Sequence, residues 1–130
     1  TAGARRLSVN FRFGSGVAFL DSKALRDVDR LGSWLHEPRQ HGLELVLIGF
    51  ADGNESNPYQ ALSLSNDRVD YVAQQLVGRG VGAARVRGMG HAGRVADDAT
   101  PVGRQRNRRV EAWVRDKALG GGLADADAVR

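Results

Sequence analysis

The 130-residue chain contains no cysteine, and this absence removes whole classes of function. Disulfide frameworks, thiol catalysis and cysteine-type zinc sites are all excluded, because each needs the thiol group. Long apolar runs are missing too: no run is longer than that of Leu45–Ile48, which is far shorter than the about 18–20 residues that a membrane-spanning helix needs. The chain begins at Thr1 without a leader pattern, so we expect it to be part of a larger protein.

Catalytic and cofactor-binding motifs are also missing. The histidines His36, His41 and His91 lack the i, i+4 spacing of a helical metal site. Gly88–Gly93 matches GxGxxG, but no apolar helical pattern follows it, so we interpret these glycines as turn residues. The polar loop 51–58 lacks the ligand pattern of a calcium loop and is interpreted in the same way. We therefore expect neither an enzyme nor a cofactor-dependent protein.

The composition, with 42% hydrophobic and 26% charged residues, fits one globular domain. The net charge of +4 is unevenly distributed, because residues 85–117 hold nine basic and four acidic side chains. A basic segment suits an anionic partner, and nucleic-acid binding is one alternative. The arginines that would serve it are Arg104, Arg106, Arg108, Arg109 and Arg115. Trp113 is the only aromatic side chain near them, so no platform for stacking bases is expected.

Apolar periodicity predicts the element order β-α-β-α-β-β. The predicted strands cover Leu7–Phe13, Leu43–Phe50, Ala84–Met89 and Arg108–Arg115, and the predicted helices cover residues 22–36 and Tyr59–Val77. This order indicates an α/β sandwich, with a small mixed four-stranded sheet and helices packed on one face. We assign residues 1–117 to one domain and residues 118–130, which contain a glycine triplet and few large side chains, to a flexible or weakly helical tail.

One pair of charged residues has the spacing of a binding site. Asp52 follows the apolar central strand, and Arg68 lies in the early part of the next helix. The pair has two interpretations. It is an exposed salt bridge worth about 0–1 kcal/mol, or it grips a zwitterion, with Asp52 taking an ammonium group and Arg68, helped by the helix dipole, taking a carboxylate. We expect Phe50 and Gly53 to contribute backbone groups at the same place.

Short segments that contain these residues occur in a characteristic order: Gly49–Asp52, Leu64–Val69, Gly88–Gly90, Arg104 and Asn107–Glu111. In this order they resemble the OmpA-like peptidoglycan-binding domain family, over about Leu7 to Val114. The resemblance implies a periplasmic, noncatalytic domain that anchors a parent envelope protein noncovalently to the cell wall. We expect no nucleic-acid partner and membrane association only through the parent protein, and we leave homodimerisation open.

The resemblance also implies roles for particular residues. In the family, an Asp and a helix Arg hold the amine and the carboxylate of diaminopimelate in the peptidoglycan stem peptide, and these positions correspond to Asp52 and Arg68. Arg104, Asn107 and Arg108 match further motif positions nearby, where they orient loops, hold the sheet edge or contact the glycopeptide.

The chain also departs from the family pattern. Ala51 replaces a threonine, Ala61 replaces an asparagine, Arg12 stands where some members have an acidic residue, and the loop between Asp52 and Arg68 is one residue longer. An assembly module without peptidoglycan binding is therefore a further alternative, because a fold does not by itself fix a function.

Overall fold

The computed structural model describes residues 3–55 and 57–117, which fold around a four-stranded sheet. The strands are β1 (Ala4–Arg12), β2 (Leu43–Gly49), β3 (Ala83–Gly88) and β4 (Arg109–Asp116). The helices are α1 (Ser22–His36), α2 (Pro58–Val77) and α3 (Pro101–Asn107), with a short 3₁₀ turn at Pro38–Gln40. None of these described helices is long and apolar enough to cross a bilayer. The predicted tail, residues 118–130, lies outside the described residues.

The sheet is mixed, with the spatial order β1-β4-β2-β3. β4 pairs antiparallel with both β1 and β2, whereas β2 and β3 run parallel. Parallel neighbours need a crossover connection, and α2 supplies it. The α/β sandwich predicted from the sequence is confirmed.

The core forms between the sheet and the two long helices. Val28 and Leu31 of α1 and Val72 and Leu76 of α2 are at most 5% exposed. They share one apolar cluster with the inward-facing strand residues Phe11, Leu45, Leu47, Val110, Ala112 and Val114. The alternating apolar side chains of β4 therefore face the core, as the sequence predicts.

The helix α3 was not predicted from the sequence. It has seven residues, and its one large apolar side chain, Val102, is 62% exposed. It therefore has no apolar periodicity to reveal it. The Thr100 side chain caps the helix by accepting a hydrogen bond from Gly103 N at 2.9 Å, and Pro101 starts it. Arg108 consequently precedes β4 instead of beginning it.

Two glycines bring α2 directly onto the ends of β2 and β3. A Cβ atom at Gly49 would collide with the Ser65 carbonyl oxygen, and one at Gly88 would collide with the Asn66 side chain. The gap is bridged by hydrogen bonds from Gly88 N to Asn66 Oδ1 (3.0 Å) and from Gly90 N to Ser65 Oγ (2.8 Å). This close contact holds the following turn of α2 beside the carboxyl ends of both strands.

Candidate ligand-binding site

The carboxyl end of β2 opens into a cluster of charged side chains. We call the region formed by residues 13–17, residues 50–55, Arg68 and Arg108 the mouth. Sheet-like pairing continues into it, because Phe50 N donates to Arg109 O (2.8 Å) and Ala51 N donates to Gly90 O (2.7 Å). This pairing fixes the backbone that carries Asp52.

Asp52 is 1% exposed, and its two carboxylate oxygens have different partners. Oδ1 accepts from Asn54 N at 2.7 Å and closes the turn after β2. Oδ2 accepts from Arg108 Nη1 at 2.9 Å, and Arg108 Nε donates to Phe13 O at 2.8 Å. Arg108 therefore holds Asp52 against the end of the first strand.

Arg68 lies about three turns into α2 and is fully buried. Its guanidinium donates to three carbonyl oxygens: Nε to Val17 O (2.9 Å), Nη1 to Phe50 O (3.1 Å) and Nη2 to Gly14 O (3.1 Å). The two remaining N–H groups hold the Glu55 carboxylate, with 2.8 Å from Nη1 to Oε1 and a second bond from Nη2 to Oε2. All five N–H donors of the guanidinium are thus used within the chain.

The Glu55 side chain is as buried as that of Arg68. Besides the two bonds from Arg68, Oε1 accepts from Asp52 N (2.9 Å) and Oε2 accepts from Gly16 N (2.7 Å). Burial raises the pKa of Glu55, but the hydrogen bonds from Arg68, Gly16 and Asp52 outweigh it, so this pKa lies below its ordinary value. The mouth therefore contains an ionised carboxylate bound by a guanidinium and two backbone N–H groups.

The exposed Asp52–Arg68 salt bridge considered from the sequence is wrong. Both residues are buried, and their charges pair with other partners, Asp52 with Arg108 and Arg68 with Glu55. The expected help from the helix dipole is wrong as well, because that effect is confined to the first turn and Arg68 lies beyond it.

The wall beside the mouth is formed by Asp98 and by two further predicted site residues, Arg104 and Asn107. Asn107 is 1% exposed and accepts from Val95 N (2.8 Å) and Ala96 N (3.0 Å), so it fixes the fold of the loop before α3. Asp98 joins this wall to the mouth, since its Oδ2 accepts from Gly53 N at 3.1 Å and its carbonyl accepts from Arg104 Nη1 at 2.9 Å.

The backbone groups expected from Phe50 and Gly53 are therefore present in this region, but each already has a partner. The Phe50 carbonyl accepts from Arg68, and Gly53 N donates to Asp98. The structure thus brings the predicted site residues together through a network of internal hydrogen bonds.

Most arginines of the basic segment also have internal partners. Arg108 pairs with Asp52, Arg109 with Glu111, and Arg115 with Glu44. The Arg109 guanidinium is 3.9 Å from the centroid of the Phe50 ring, and burial lowers its pKa against the opposing effect of Glu111. Among the five arginines named for nucleic-acid binding, only Arg106, on α3, belongs to the exposed class. These contacts give the nucleic-acid alternative little support.

Two surface clefts border the mouth. One, of about 550 Å³, is lined by Phe13, Gly14 and Arg108 among others. The second, of about 500 Å³, is lined by residues that include Gly53 and Asn54. A larger cleft of about 710 Å³ lies between β1 and α1, away from the buried charges. Within residues 3–55 and 57–117, no group of three His, Asp or Glu side chains is placed to hold a metal ion.

The positions that depart from the family pattern lie in or beside the mouth. Ala51 and Ala61 are at most 2% exposed, whereas Arg12 is exposed on β1. Sequence reasoning missed Glu55 and Asp98 as parts of the site. A signal for Glu55 was available: the loop has an extra residue and carries a carboxylate three positions after Asp52.

The chain is similar to proteins of a known family. The family model of the OmpA family matches residues 12–108, which is well over half of the chain. The chain belongs to the OmpA family. Outer membrane porin F of Pseudomonas fluorescens is 32% identical over 115 residues, which cover 87% of this chain and 34% of the porin.

Solved structures of OmpA-like domains have the same fold. The peptidoglycan-associated lipoprotein from Burkholderia pseudomallei matches with a TM-score of 0.73 at 18% identity, over 82% of this chain and 89% of that one. The cell wall anchor of the type VI secretion system (T6SS) from Pseudomonas aeruginosa matches with a TM-score of 0.68 at 22% identity, over 88% of both chains.

The domain spans about a third of the length of the curated relatives that it matches. The names of its relatives include a lipoprotein and an outer membrane porin, in agreement with the predicted cell-envelope localisation.

Proposed function

We propose that this OmpA-family domain binds peptidoglycan noncovalently and anchors a larger envelope protein to the cell wall from the periplasm. The names of two structural neighbours support this proposal, since one is a peptidoglycan-associated lipoprotein and the other a cell wall anchor. The role requires binding and no catalysis.

The observation that carries the proposal is the carboxylate held in the mouth. Arg68 binds it with two N–H groups, and Asp52 N and Gly16 N bind it from the other side. The site therefore has the donors that a ligand carboxylate needs, in the bidentate geometry that guanidinium groups favour.

Diaminopimelate of the stem peptide fits this chemistry because one of its ends carries a carboxylate and an ammonium group on the same carbon. We assign the carboxylate to Arg68 and the ammonium group to Asp52, whose Oδ2 is already in a charge-assisted bond with Arg108. Phe50, Gly53, Arg104, Asn107 and Arg108 are assigned to shaping the mouth around these two contacts.

Co-sedimentation with purified diaminopimelate-type sacculi tests the proposal. Asp52→Asn keeps the shape of the side chain and removes the charge that attracts the ammonium group, so we expect the variant to pellet much less than the parent. Arg68→Lys keeps the charge but loses the bidentate geometry, and we expect a similar loss. Asp70→Asn is the matched control, because Asp70 is exposed on α2.

Circular dichroism must show that each variant is folded. Equal pelleting of the parent, Asp52→Asn and Asp70→Asn would contradict the assigned site. A folded parent that stays in the supernatant under conditions that pellet a known binder would favour the assembly module instead.

A further inference from the structure

We propose that Glu55 is an intramolecular competitor for the ligand carboxylate, and that it selects for ligands able to displace it. This inference rests on the proposed function of the same mouth. Glu55 occupies the two N–H groups of Arg68 that a bidentate carboxylate would use, and it also engages the N–H group of Asp52.

The burial of the pair makes the competition unavoidable. The side chains of Arg68 and Glu55 have no exposed surface, and Asp52 has 1%. The five N–H groups of Arg68 are all bonded. A ligand carboxylate therefore reaches Arg68 only after the Glu55 carboxylate has left.

The position of Glu55 in the chain allows it to leave. It lies in the connection between β2 and α2, where its neighbours Gly53 and Asn54 are exposed. Phe50 and Ala51 are buried at the start of this connection, but none of residues 52–55 is part of the apolar cluster, so we expect Glu55 to swing outward without unpacking it. The α2 helix begins independently, because the Asn57 side chain caps it by accepting a hydrogen bond from Gln60 N at 2.9 Å.

The competition affects which ligands bind. A tethered carboxylate acts at an effective concentration in about the millimolar range, so a ligand that offers one carboxylate alone is poorly retained. A ligand that also places an ammonium group beside Asp52 gains a second contact that Glu55 cannot make. Glu55 thus favours zwitterionic ends, such as that of diaminopimelate, over simple carboxylates.

Only molecules in which Glu55 has left the site can bind the ligand. The apparent affinity of the parent is therefore the intrinsic affinity multiplied by the fraction of such molecules. If that open state has a population of about 1–10%, removal of the Glu55 carboxylate tightens binding about tenfold to hundredfold. The measurement is the affinity for meso-diaminopimelate by calorimetry, together with the fraction of protein pelleted by sacculi. Glu55→Ala is the main variant, and Asp70→Ala controls for the loss of one negative charge.

Glu55→Ala leaves Arg68 without its anion, so a second variant guards against misfolding. Glu55→Gln keeps the size of the side chain and one acceptor for Arg68, and we expect it to bind more tightly than the parent by a smaller factor. Millimolar acetate should raise the melting temperature of Glu55→Ala and leave that of the parent unchanged, because only the variant has a free carboxylate site.

The outcomes separate the two proposals. Tighter binding by folded Glu55→Ala, with Asp70→Ala like the parent, supports the competitor. If the parent binds, and both Glu55 variants bind as strongly as the parent or more weakly, the competitor is overturned and the proposed function stands. If the parent and the folded Glu55 variants all fail to bind diaminopimelate and sacculi, both proposals are overturned.

Discussion

Replacement of Arg68 by alanine should destabilise the domain strongly, because the residue is half of a fully buried ion pair. The substitution leaves the Glu55 carboxylate with only Asp52 N and Gly16 N as hydrogen-bond donors. Loss of one partner of a buried pair costs about 3–5 kcal/mol, since the other charge is left uncompensated. Folded domains are stable by about 5–15 kcal/mol, so the variant should lose much of its free energy of unfolding.

Urea denaturation followed by far-UV circular dichroism measures this loss. The matched control is Arg106→Ala, because Arg106 is exposed on α3 and its replacement should change the free energy of unfolding by less than about 0.5 kcal/mol. The double variant Arg68→Ala/Glu55→Ala removes both charges and should lose less than the sum of the two single variants, by about 1 kcal/mol or more. A loss below about 1 kcal/mol for Arg68→Ala would refute the buried pair and restore the exposed salt bridge.

Two further predictions concern acid and the core. Because the pKa of Glu55 lies below its ordinary value of 4.5, its contribution to stability is full above that pH and is lost as the pH falls through the folded-state pKa. A change from neutral to acid pH should therefore lower the free energy of unfolding less in Glu55→Gln than in the parent. An equal decrease in both proteins, measured by urea denaturation at each pH, would contradict this prediction. Leu76→Ala should cost about 2–4 kcal/mol in the same assay, because Leu76 is fully buried, whereas Leu62→Ala, at a position 48% exposed on the same helix, should cost far less. Similar losses for the two variants would contradict the observation that Leu76 faces the core and Leu62 faces solvent.

The fold was predictable because its elements have strong apolar periods. The helix predicted over residues 22–36 matches Ser22–His36, and the strand predicted over Leu43–Phe50 matches Leu43–Gly49 to one residue. The short α3 was not predictable in this way, since its stability comes from the Thr100 cap and from packing against the loop that Asn107 holds. Local caps and loop contacts leave no periodic signal in a sequence.

The sequence predicted where the candidate residues lie in the fold but not which of them form ion pairs. The order of strand, loop and helix brings Asp52 and Arg68 to the same end of the sheet, as the sequence indicates. Which carboxylate each arginine binds depends on the paths of the loops around the mouth. The loop after β1, for example, supplies Gly14 O and Gly16 N. Such contacts join residues about 40–50 positions apart, and periodicity carries no information about them.

Charge balance in the mouth explains how the competitor that we propose can lie in the candidate site without destabilising the domain. The mouth contains two guanidinium groups, of Arg68 and Arg108, and two carboxylates, of Asp52 and Glu55, so the buried charges cancel. An Arg68 without Glu55 would be a buried cation with only carbonyl partners, which is costly when no ligand is present. Exchange of the Glu55 carboxylate for the carboxylate of a zwitterionic ligand preserves this balance at Arg68 and adds an ammonium group next to Asp52. Glu55 therefore keeps the empty site stable, and the ligand replaces it only when it supplies an equivalent charge.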